Sequence, residues 1–143
     1  MSAGHANTLL TADLDGRSEV VTGATDRRMV GDPDGRGEAY VFGVDGDPTT
    51  LCYVLTVDGI ATATAAHVHE AAPGANGPVV ASLAAPGDGN AADCLTEGEP
   101  GKFPGDPAGI VADILANPGD YYVNVHNADH PGGALRGQLS AER

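Results

Sequence analysis

Tyr121-Tyr122-Val123-Asn124-Val125-His126 alternates two kinds of side chain. Successive strand residues point to opposite faces, so Val123 and Val125 share an apolar side while Tyr122, Asn124 and His126 share the other. His126 therefore looks away from the core. The same parity in Ala66-His67-Val68-His69-Glu70 turns Val68 inward between outward His67 and His69. In Ala134 to Leu139 it turns Leu135 and Leu139 inward and sends Arg136 and Gln138 out. If these strands are neighbours in one sheet, three imidazoles and Arg136 occupy one polar outer face. Converging imidazoles are the arrangement a copper or zinc ion asks for.

Working outward from that strand, 21 glycines and 10 prolines cut the chain into short pieces that read mostly with period two. This is the pattern of an all-β domain. The expected strands are Thr8 to Leu14, Glu38 to Val44, Thr50 to Val57, Ala65 to Glu70, Val79 to Leu83, Tyr121 to His126 and Ala134 to Leu139. Asp32-Pro33-Asp34-Gly35 and Asp45-Gly46-Asp47-Pro48 are turn signals, and the second is expected to close a hairpin. One segment departs from period two. Asp106-Pro107 followed by Ile110, Val111, Ile114 and Leu115 reads as an N-cap, a first-turn proline and a helical apolar stripe, predicting one short helix near 107–116 that stops at Asn117-Pro118-Gly119. Ala84 to Gly105, rich in Gly, Pro and acidic residues, reads as a long surface loop held by Cys94.

A chain of 143 residues suffices for one ordinary domain. Twenty acidic residues against seven basic ones leave a net charge of -13, which argues against nucleic acid and against an anionic membrane surface. No apolar run approaches 18 residues, so no membrane insertion is expected. With 4% aromatics and no Trp, the core must be built from Val, Leu, Ile and Ala, and stability leans on a cross-link. Cys52 and Cys94 are the two cysteines, read as a disulfide rather than two buried thiols. Such a bridge implies export: a secreted, periplasmic or cell-surface protein. No basic segment followed by an apolar one marks a signal peptide.

The chain resembles the CHRD family, named for the repeated domain of chordin, in Tyr121-Tyr122-Val123-Asn124-Val125-His126 and Arg136-Gly137-Gln138-Leu139. Ala66-His67-Val68-His69, Asn76-Gly77-Pro78-Val79 and Asn117-Pro118 also match that pattern. The resemblance implies a β-sandwich over 7–143, with 1–6 as a terminal segment outside it, and it implies no particular activity. A more distant likeness is to copper/zinc superoxide dismutases, which carry a His-Val-His strand, a later strand ending in histidine and an arginine near the chain end. His67, His69, His126 and Arg136 match those elements in order. That likeness implies a Greek-key β-sandwich or barrel of superoxide dismutase-like type. It also implies copper on the three histidines and Arg136 as the catalytic residue that guides a small anion such as superoxide. No histidine lies between His69 and His126, so the zinc subsite of those enzymes is absent and the copper-only variant is the nearer comparison.

Imidazole-rich ligation and the order of divalent affinities favour copper, with zinc as the alternative. His130 stands open as a fourth ligand, a partner supporting a ligand from behind, or an exposed loop residue. His5 would join a copper-chelating Ala-Gly-His terminus if processing began the chain at Ala3. Glu70 has the opposite parity to His69, and Asp45 and Asp47 lack the further ligands of a calcium loop. Tyr121 and Tyr122 read as packing residues, Tyr122 over the histidine face. No nucleotide loop, nucleophile elbow or Cys-His pair is evident. Three functions follow: an exported mononuclear copper protein with dismutase-like chemistry, a non-catalytic extracellular interaction module, or a copper storage or delivery protein.

Overall fold

A computed structural model describes residues 9–19 and 31–141. The expected start at Thr8, the terminal segment 1–6 and His5 lie outside the described residues. The strands are β1 (Leu9–Asp15), β2 (Arg36–Val44), β3 (Asp47–Asp58), β4 (Ala63–Glu70), β5 (Val79–Leu83), β6 (Asn90–Thr96), β7 (Tyr121–Asn127), β8 (Leu135–Gln138) and β9 (Ser140–Ala141). One helix, α1 (Ile110–Ala116), and a 3-10 turn at Pro118–Asp120 precede β7. The all-β class with one short helix is therefore what the described residues adopt.

The strands form one antiparallel sheet in the order β5-β4-β7-β8-β1-β2-β3-β6, with β9 against β1. It curls into a nearly closed barrel or sandwich whose inner side carries Leu10, Leu14, Val41, Leu51, Leu55, Val68, Val123, Val125 and Leu135. These are the residues that alternation turns inward, and together they form one contiguous core. The hairpin at Asp45-Gly46 forms as expected. Val44 pairs with Asp47 across it, and Gly46 takes a φ of 81° that a side chain would resist.

Two expectations are corrected. Ala84 to Gly105 is not all loop, because β6 pairs with β3 from Thr50↔Thr96 to Thr56↔Asn90. Its alternation was hidden in alanine and polar residues such as Asn90, Ala91 and Asp93, and by an exposed outer face. Cys52 and Cys94 are directly opposite in that pairing and are joined as a disulfide. The helix does not start at Asp106, which has a φ of 43°, nor can Gly109 at 85° be helical, so α1 begins at Ile110. The carboxylate of Glu97, distant in sequence, accepts from the Gly109 and Val111 amides (3.1 and 3.0 Å) and supplies what a local N-cap would have supplied. Ile110, Val111 and Ile114 then bury the predicted stripe.

Candidate metal centre

Strand β7 lies between β4 and β8, so the three pieces read as one face do share it. The register sets His67 opposite Asn124, His69 opposite Tyr122, Ala65 opposite His126 and Arg136 opposite Asn124. His126 is thus diagonal to His67 across the pair. Their rings stand 5.0 Å apart, with His67 Nδ1 only 3.2 Å from His126 Nε2. His69 completes the group, and one ring nitrogen from each of the three lies within 4.8 Å of the others. His130 is outside this convergent set.

Neighbouring backbone oxygens fix the ring protons. His69 Nδ1 is 2.9 Å from the Gly77 carbonyl, and His126 Nδ1 is 2.9 Å from the Pro131 carbonyl. A carbonyl oxygen can only accept, so each Nδ1 carries the hydrogen, leaving Nε2 as the nitrogen each ring can offer a metal. His126 Nε2 in turn accepts from His67 Nδ1. Replacing that one shared proton with a cation leaves three imidazole nitrogens aimed at one place. Burial, reinforced by His126 and His69, holds His67 below the ordinary imidazole range. His69 is also lowered, first by burial, against the opposing pull of its bonds to Gly77 and Asn124. Neutral imidazole is the form that binds a metal, and the donor chemistry fits copper or zinc.

The polar face is not an open outer surface, contrary to expectation. Tyr122, Asn124 and Arg136 are 2%, 3% and 1% exposed. A returning segment, residues 71–77, roofs them, and polar side chains of the same face hold it there. Arg136 donates to Asn76 Oδ1 and the Ala72 carbonyl, both at 3.2 Å. Gln138 donates to the carbonyls of Ala71 (2.7 Å) and Gly119 (2.9 Å). The Gly77 amide donates to the Tyr122 hydroxyl at 3.2 Å. Tyr122 stacks on His69 with rings 4.8 Å apart and 2° from parallel, and the Arg136 guanidinium lies 3.5 Å from the same tyrosine's ring centroid. Arg136 therefore pins the roof and packs on Tyr122.

Four contributors escaped the sequence reading of the site. Strand parity puts Asn124 on the face but marks no role for it; its Oδ1 is 2.9 Å from His69 Nε2 and its Nδ2 donates to Glu19 Oε2 at 3.2 Å. Glu19 follows β1 in a turn with no periodic signal, so nothing local marked it. Its carboxylate lies against Gly133, where a Cβ would come within 2.5 Å of an oxygen. Burial raises the Glu19 carboxyl to about 7, although the Asn124 bond and the Arg136 charge pull it down. Gly77 and Pro131 act through backbone carbonyls, which no side-chain pattern can announce. His130 takes an Asn127 Oδ1 bond on its amide (2.8 Å), and its Nδ1 is buried without a partner.

An antiparallel β-barrel with a roofed histidine triad on one face and a cross-strand disulfide is the class these features define. The CHRD domain model matches residues 10–139, and the chain belongs to the CHRD family. No curated protein matches the chain.

Proposed function

We propose that the protein is an exported CHRD-domain protein that binds one copper ion through His67, His69 and His126. The observation that carries this is the convergence of three imidazoles, two of which have Nδ1 held by the Gly77 and Pro131 carbonyls. A histidine pocket assembled only for packing would not need two backbone oxygens holding Nδ1 protons away from the shared centre. The disulfide between Cys52 and Cys94, together with family membership, supports an extracellular, periplasmic or cell-surface setting. Zinc is the alternative ion.

When bound, copper supplies one-electron exchange between its two common oxidation states, the chemistry that converts two superoxide ions and two protons to dioxygen and hydrogen peroxide. The chain's own residues define what such a site would admit. All three histidines are partly exposed, and His69 is flanked by Tyr122 and the Gly77 carbonyl. Arg136 supplies positive charge within a chain of net charge -13. Its burial and its bonds to residues 72 and 76 favour a second reading, in which the copper is held or delivered without turnover.

Metal analysis and electron paramagnetic resonance of protein loaded with Cu(II) test the binding. One equivalent is expected, with a nitrogen-rich signal that His67→Ala or His126→Ala removes. A signal indifferent to both substitutions rejects the site. Superoxide-dependent redox cycling of the loaded protein separates catalysis from storage.

A further inference from the structure

We propose that Asn124 is the fourth donor of this site, its side-chain oxygen completing a set of three nitrogens and one oxygen, with Glu19 as the residue that orients it. The inference rests on the metal-binding reading and deepens it. An asparagine amide has one oxygen that accepts and one nitrogen that donates. The Asn124 amide nitrogen donates to Glu19 Oε2 at 3.2 Å, and with that donor engaged the amide is held with its oxygen toward His69. His69 has already committed its Nδ1 hydrogen to the Gly77 carbonyl. Its Nε2, the nitrogen left for a metal, therefore stands 2.9 Å from the Asn124 oxygen.

An ion bound at Nε2 would have that oxygen within reach. Asn124 is buried, so its oxygen has little access to water as an alternative partner. The spacing also suits shared ligation. Two donors each about 2.0–2.1 Å from one ion and near a right angle stand about 2.9 Å apart. The measured separations are 2.9 Å for Asn124 to His69 and 3.2 Å for His67 to His126. Amide oxygens are known as weak copper ligands beside imidazoles, and a weak ligand tunes the metal more than it secures it. The direction of Glu19 follows from its seat against Gly133, where only a residue without a side chain leaves room for the carboxylate.

The test titrates the wild-type chain, Asn124→Leu, Asn124→Asp and Glu19→Leu with Cu(II) alone. Affinity is read by chelator competition, ligation by the g and hyperfine values of the resonance spectrum, and folding by circular dichroism. Asn124→Leu is expected to weaken binding by about 10- to 100-fold and to shift the spectrum. Asn124→Asp, which keeps an oxygen there, should hold affinity within about tenfold while its charge moves the hyperfine value. Glu19→Leu should shift the spectrum with a smaller loss of affinity. Wild-type affinity and an unchanged spectrum in Asn124→Leu overturn the fourth donor while leaving the histidine site intact. If that variant does not fold, an unchanged spectrum in Asn124→Asp overturns it equally. Failure of the wild-type chain to bind Cu(II) rejects the metal centre itself.

Discussion

Glu19→Gln should make the protein more stable at alkaline pH and leave it nearly unchanged at acid pH. Burial outweighs the Asn124 bond and the Arg136 charge and pushes the folded-state carboxyl up to about 7, against an ordinary value of 4.5. A group raised in this way favours the fold fully below the unfolded value, and its contribution is lost as pH rises through the folded one. The difference of about 2.5 units corresponds to about 3 kcal/mol at 1.36 kcal/mol per unit, and partial solvent access reduces it to about 1.5–3 kcal/mol. Glutamine has nearly the same shape, and its oxygen can still accept from Asn124, so the charge is the main change. Urea denaturation of chelator-treated wild type and Glu19→Gln at about pH 4 and about pH 8.5 isolates the effect, because the other carboxylates titrate alike in both proteins. Wild type should fall behind the variant only at the higher pH. Equal stabilities at both pH values, or a gap that opens on acidification, would refute the placement of Glu19 as a buried, weakly paired carboxyl.

Gly77→Ala should unseat the roof, since a Cβ there would lie 1.8 Å from the Glu70 carbonyl oxygen. The expected cost is about 2–4 kcal/mol in urea denaturation, together with loss of the downfield resonance of the His69 Nδ1 hydrogen; a variant retaining both would show that the segment has another way to seat. Replacing Cys52 and Cys94 together by alanine opens a cross-link spanning 42 residues. The entropic account gives a loss of about 4 kcal/mol, seen as a lower urea midpoint matched by reduced wild type, and equal midpoints for oxidised wild type and the variant would contradict it.

How far the site could be read without the fold follows from particular residues. His67, His69 and His126 were legible because strand parity is a local rule. It places a side chain on a face whatever that strand pairs with. The helical stripe at Ile110, Val111 and Ile114 was legible for the same reason, but its N-terminal cap was not, because the capping carboxylate comes from Glu97 across a loop. Strand β6 was missed because its alternation lies in alanine and polar side chains, and its place in the sheet is decided by pairing with β3.

By itself the sequence determined the all-β class, the inward set of core residues, the two cysteines of the disulfide and the common face of three histidines. These depend on periodicity and on residue chemistry, both carried along the chain. Tertiary structure alone decided that β4, β7 and β8 are adjacent, that residues 71–77 return to roof the face, and that Arg136 is buried beneath them. It also brought Glu19 to Asn124, and two backbone carbonyls to the histidines. Such contacts join residues about 60 to 105 positions apart, as with His67 and His126 or Glu19 and Asn124, or use groups that every residue possesses. No local pattern encodes either kind, because both arise only when the sheet closes and the loops take up the donors and acceptors left along its face.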